Sequence, residues 1–249
     1  MPTSLLQTRE RTVSIKFDVS KIKEKTVQDR KEIPNQIIKK KNKRSVANFI
    51  TQTIKNSLDA EMLDLFESYI SVRLTSMIRN SLQEDKYLSL KKSQYHQLEN
   101  FDFNNSNPFI STVLTKVFVK GGSHNGYAIL HVPAFVPEFD LTVPADATNF
   151  KISAKLIAIS DFIYAEEPKA YISKNIEANG NVGSFETTML PVLKIQTQPI
   201  TSQICINRCE PMGNEVSTIL VLAFKFYKYN KGKFMHLSEN GTMKIMNIF

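Results

Sequence analysis

The 249-residue chain is expected to be an α+β protein: a basic arm, a helical hairpin, then an antiparallel β-sandwich or jelly-roll-like domain of about seven to eight strands. Three observations predict this. Glycine is absent from the first 120 residues, and all eight glycines fall between Gly121 and Gly241. Eight of the ten prolines also lie at or beyond Pro108. A stretch free of both residues suits helices, whereas a punctuated one suits strands and turns, so the body divides near residue 105. At that same place apolar residues change from helical spacing to strand-length runs. Charge is partitioned as well. Met1–Ala47 carries thirteen of the 32 Lys and Arg but five of the 24 Asp and Glu, leaving nineteen of each in Asn48–Phe249. The net charge of +8 therefore belongs to the arm, and the body has a formal charge of zero.

The expected regions are an arm over 1–44, a helical region over 45–100 and a β-domain over 101–249. In the arm, Val13–Phe17 alternates and would form one short strand. Lys21–Lys43 is lysine-rich with scattered isoleucines and has too little apolar surface for a core of its own, so a flexible or partner-ordered segment is expected. Ser45 is a suitable N-cap for a first helix, with Val46, Phe49, Ile50, Ile54 and Leu58 at helical spacing. A second apolar series runs from Met62 to Leu82. Asp59, Glu61 and Asp64 crowd its start, while Arg73 and Arg79 lie toward its end, matching the helix dipole. These acids are therefore expected to cap a helix. A short further helix is expected around Leu88–Leu98.

From Phe109 onward strands are expected at Thr112–Lys120, Tyr127–Val132, Phe150–Phe162, Met189–Ile195, Gln203–Cys209, Thr218–Tyr229, Phe234–Leu237 and Thr242–Phe249. Gly121–Gly126 and Asn230-Lys231-Gly232 are the hairpin connections.

Three stretches resemble a family of uncharacterised proteins of Bacteroidota genomes. They are Leu98–Asn104, then Val132–Pro137 with Pro144–Lys151, then Leu220–Tyr227 with the Asn230–Leu237 hairpin. The resemblance covers roughly Ser45–Phe249 and implies a bacterial origin and a shared fold. It carries no activity or residue role. Members have a glycine-rich basic N-terminal segment, whereas this arm is basic without glycine.

Motifs of enzyme chemistry are missing: no dinucleotide or P-loop glycine pattern, no zinc-protease helix, no nucleophile elbow. The four histidines, His96, His124, His131 and His236, are scattered, and Ser123-His124 are adjacent in an expected turn. Glu166-Glu167 and Glu138/Asp140 lie in Pro-bounded polar stretches and read as solvated carboxylates. Cys205 and Cys209 would stand about 13 Å apart on an extended strand, beyond disulfide reach. With no further Cys or His close in sequence, no metal is expected, and neither are catalytic residues or a cofactor. The longest apolar run is Ile219–Phe224, too short to span a bilayer, and Met1–Val13 lacks the apolar core of a secretory signal. A cytoplasmic protein with no membrane contact is expected.

Two interaction elements are singled out. Lys39, Lys40, Lys41, Lys43 and Arg44 precede the first helix as a block of five positive charges. On duplex nucleic acid they would neutralise phosphates without reading sequence, adding about −4.5 to the salt slope. Aromatic residues interleaved for base stacking are missing from the arm, where Phe17 is the sole ring before Phe49. In Val132–Phe139, Phe135 and Phe139 stand between prolines on an extended path. They would either present an aromatic surface to a protein partner or second copy, or seal one end of the sandwich. The expected function is that of a non-enzymatic structural or assembly protein whose arm contacts nucleic acid. The alternative is a protein-interaction module that docks a partner or itself through the β-domain, with the arm as a protein-binding or solubilising tail.

Overall fold

The computed structural model describes residues 37–38, 43–84, 88–90, 98–122, 126–166, 170–206 and 212–249. Strand β1 (Ile37–Ile38) is followed by α1 (Lys43–Asn56), which begins two residues before the expected Ser45 cap. The second apolar series does not form one helix. It divides into α2 (Ala60–Leu63) and α3 (Ile70–Ser81). Asp59 caps α2 as expected, accepting from the Met62 amide at 3.0 Å. The break is enforced at Tyr69, whose φ of 69° is left-handed, and by Glu67, which turns back to pair with Arg73.

Strands β2 (Leu82–Glu84) and β3 (Leu88–Leu90) pair antiparallel, so the helix expected around Leu88–Leu98 does not begin at Leu88; residues 91–97 lie outside the described residues, and Leu98 is helical. The expected strand Thr112–Lys120 is likewise split, into the single turn α4 (Phe109–Thr112) and β4 (Phe118–Gly122). Then come β5 (Tyr127–Val132), α5 (Pro137–Asp140), β6 (Asn149–Ser160), β7 (Phe162–Ala165), β8 (Ala170–Ser173) and β9 (Val182–Glu186). Of Met189–Ile195, the pair β10 (Leu190–Pro191) is strand. The chain closes with β11 (Ile200–Cys205), β12 (Val216–Asn230), β13 (Lys233–His236) and β14 (Thr242–Ile248). The fold is α+β, and the strand pairs described are antiparallel.

Three sheets result. One runs β1-β8-β7-β3-β2, one runs β11-β5-β4, and the central sheet runs β10-β6-β12-β13, with β14 also on β12 and β9 on β6. The long pair β6·β12 is buried on both faces, which explains its nearly continuous apolar sequence. On one face Ile157, Ile159, Ile219, Val221 and Ala223 share a core with Ile50, Ile54, Met62, Leu74 and Ile78 of the helices. On the other, Phe150, Ile152, Leu156, Leu220, Leu222 and Phe224 pack with Leu130, Val132 and Ile204 of the three-stranded sheet. Each side chain's face follows from strand alternation. Gln36–Phe249 form one compact unit.

One turn and one strand contact rest on glycine. Lys231 and Gly232, at φ 47° and 83°, make a two-residue turn with both central residues left-handed, the geometry that follows the twist of the β12–β13 ladder. At Gly183 a Cβ would lie 2.5 Å from the Cys205 carbonyl oxygen, so glycine lets β9 approach β11.

Candidate polyanion groove and a buried lysine centre

Helices α1 and α3 run antiparallel, tied by Thr51 Oγ1 to Thr75 Oγ1 at 2.9 Å and by Lys55 Nζ donating to Ser71 Oγ at 3.0 Å. This pairing leaves the start of α1 beside the end of α3. Arg44 and Asn48 of α1, with Ser71, Val72, Thr75, Ser76 and Arg79 of α3, line a groove of about 360 Å³ there. Both arginines are exposed. On α3 the spacing of Ser71, Thr75 and Arg79 places hydroxyl, hydroxyl and guanidinium on one stripe. The first turn of α1 holds no acid, and Lys43 and Arg44 stand there against the helix dipole. An anion held in the groove would relieve that mismatch.

Of the five predicted arm residues, Lys39, Lys40 and Lys41 lie outside the described residues. Lys43 donates to the Leu82 carbonyl at 3.4 Å, and Arg44 faces the groove. Arg79, read from sequence as a dipole partner, is the member that sequence reasoning missed. Its signal was the Ser71/Thr75/Arg79 spacing.

A second polar centre lies on the helix-facing side of the central sheet. Lys225 follows six apolar residues of β12 and is fully buried. Its ammonium donates to Glu61 of α2 at 2.7 Å and to Glu186 of β9 at 2.6 Å. Glu61 also accepts from the Tyr227 hydroxyl at 2.7 Å, and Glu186 from Ser153 and Lys151, each at 2.7 Å. Lys155 pairs with Asp59 at 3.3 Å. Glu61 is thus more than a first-turn acid, because it fastens α2 to the sheet.

Burial alone would raise Glu186, but the hydrogen bonds from Lys151, Lys225 and Ser153 overcome it and hold the carboxyl at about 2. Glu61 is lowered in the same way, against its burial, by Lys225 and Tyr227. Burial disfavours the Lys225 ammonium, yet the bonds to Glu186 and Glu61 win and raise it. Burial and the bond to Glu61 push the Tyr227 hydroxyl well up. An acid–base catalyst needs shifts toward neutrality, whereas these carboxylates and this ammonium are held more firmly charged. The arrangement is that of a structural tie.

Two groups shift the other way. Burial raises Asp102 despite the Phe109 amide it accepts at 2.8 Å, and burial lowers Lys244, its bridge partner on β14. Both belong to the stretch that threads along β14, where Asn100 and Phe103 donate to the Ile245 and Met243 carbonyls. Most of the first resemblance stretch, Leu98–Asn104, is therefore an added edge to β14.

The two phenylalanines between prolines part company. Phe135 is buried, its ring centroid 6.0 Å from that of Phe150, so it cannot serve as a surface contact. Of the two expected alternatives, Phe135 takes the core-sealing one, whereas Phe139 does not. Proline holds the backbone extended on both sides, and the ring fills the core below. Phe139, on α5, is 65% exposed. His131 shares a hydrogen bond with Thr201 across the β5·β11 ladder, and His236 lies against Tyr227. Ser123, His124, His96, Glu167 and Cys209 lie outside the described residues, while Cys205 is free and exposed. Among the described residues no three or more His, Cys, Asp and Glu group to hold a metal ion, and no helix is long and apolar enough to cross a membrane.

No protein family, curated protein or solved structure matches the chain.

Proposed function

We propose that the protein is a structural or assembly protein whose basic arm, with the groove it leads into, grips the phosphate backbone of nucleic acid without reading sequence. One observation supports this most. The segment that carries the net charge of +8 already joins the body at β1, and its last basic residue, Arg44, shares a hydroxyl-walled groove with Arg79. Guanidinium groups suit phosphate because their fork of donors matches its oxygens. Behind the groove, the six- and three-stranded sheets packed through one core are read as the sandwich on which assembly is built. The ties around Lys225 serve it by fixing α2 to the central sheet.

The test is a salt titration of duplex DNA binding by the full chain and by the Arg44→Gln/Arg79→Gln variant. The slope of log K against log salt is expected to fall in magnitude by about 1.8 for two lost phosphate contacts. An unchanged slope would remove the groove from the reading.

A second reading, a docking module, is favoured by exposed apolar side chains at one place. Phe139, Ile110 and Leu114 are all more than half exposed, and the Leu114 amide donates to the Asp140 carbonyl. Sedimentation over a concentration series at high salt tests it: an oligomer that persists in salt and is lost with Phe139→Ser supports docking through this patch.

A further inference from the structure

We infer that the β12–β13 hairpin is a second nucleic-acid contact, one that stacks the bases of a single strand. The inference rests on the preceding reading for its class of ligand, but it uses other residues. Tyr229 and Phe234 are directly opposed in the ladder, so they share one face, with ring centroids 5.0 Å apart and planes at 50°. They are 53% and 46% exposed, although aromatic rings are normally buried when a core is available. From Val216 to Ser238 the chain has four lysines and no Asp or Glu. Two of the four are engaged: Lys225 is buried between carboxylates, and Lys228 pairs with Asp146 at 2.9 Å. Lys231 and Lys233 are exposed and make no ion pair among the described residues. The half-exposed rings occupy one face of the hairpin, while Lys231 stands in the turn and Lys233, paired with Asn230, points to the other face. Stacked bases would lie on the rings and the strand's phosphates would pass round the tip to the cations, the two components of a single-strand platform. This is the interleaving that the arm lacks.

Charge and shape decide against two other occupants. A membrane-inserting hairpin carries its apolar residues at the tip, whereas this tip is Lys231-Gly232 and the rings are set back from it. A second copy docking hairpin to hairpin would bring both pairs of unpaired lysines together.

The experiment uses the full chain with three probes: oligo(dT) of 30 nucleotides, a duplex of the same length, and vesicles of phosphatidylcholine with one-third phosphatidylserine. Tyr229→Ala/Phe234→Ala is expected to weaken oligo(dT) binding about tenfold or more for each stacked base, while duplex affinity holds. Lys231→Gln/Lys233→Gln is expected to lower the oligo(dT) salt slope by about 1.4. Both sites are exposed, and an unchanged circular dichroism melt confirms that each variant is folded. Unchanged oligo(dT) binding by the aromatic variant overturns the inference, and if Arg44→Gln/Arg79→Gln still weakens duplex binding, the groove reading stands without it. Loss of vesicle binding with oligo(dT) binding intact overturns it in favour of an anionic membrane surface. Binding of neither nucleic acid at low salt overturns both readings.

Discussion

Lys225 on the central strand and Glu61 on α2, 164 residues earlier, are joined by a 2.7 Å hydrogen bond. The lysine is fully buried, whereas the glutamate reaches solvent, so the pair seals the rim of the core between helices and sheet. Removing one partner of such a pair leaves the other charge uncompensated, which costs more than the pair contributes net. Lys225→Ala is expected to destabilise by about 3 kcal/mol, since two carboxylates are left facing each other. Glu61→Gln is expected to cost about 1 kcal/mol, because Lys225 keeps Glu186 and solvent screens the site. Urea unfolding of the three proteins checks the order.

The same carboxylates set a pH dependence. Glu186 and Glu61 are held below their ordinary values in the folded chain, Glu186 at about 2. A depressed carboxylate contributes stability that is fully present above its unfolded pKa, near 4.3, and is lost as pH falls through the folded value. His236 acts in the same sense, since burial lowers it and favours the neutral ring. Stability is therefore expected to hold above about pH 6.5 and to fall steadily between pH 5 and about 2. Glu186→Gln flattens the lower part of that fall, as measured by thermal melts at pH 7, 5 and 3.

Tyr69 precedes α3 in the left-handed region, with its side chain 80% exposed and no capping bond. A non-glycine residue there costs about 1 kcal/mol, and little burial would be lost with the ring. Tyr69→Gly is expected to raise the melting temperature by about 2–4 °C. A lowered melting temperature would mean that the ring makes a contact worth more than the strain.

Gly183→Ala is expected to do the opposite. The added methyl would meet the Cys205 carbonyl, so β9 and β11 must separate, at a cost of about 1–3 kcal/mol. Denaturant unfolding reports it.

The division into helices and then strands was legible because glycine and proline punctuate only the later part. Long strands such as β12 and β14 stood out for the same reason. The β2–β3 hairpin was not, because three-residue strands are too short to show a period and are held by pairing with β7, distant in sequence. The break at Tyr69 was hidden because Leu65, buried in the break, continues the helical stripe. The Lys225 centre joins residues far apart in the chain, yet it left one trace: a lysine directly after the apolar run Ile219–Phe224 must find a partner. The groove was half legible, since Arg44 belonged to the charge block, whereas Arg79 showed only its i, i+4, i+8 spacing with Ser71 and Thr75 and needed helix packing to bring it to Arg44.

The most direct test is the salt dependence of duplex DNA binding when Lys39, Lys40, Lys41, Lys43 and Arg44 are all changed to Gln in the full chain. The account predicts a slope smaller in magnitude by about 4.5, with affinity at 50 mM salt falling accordingly. Equal slopes for the two proteins would contradict it, and the arm's charge would then serve solubility or a protein partner.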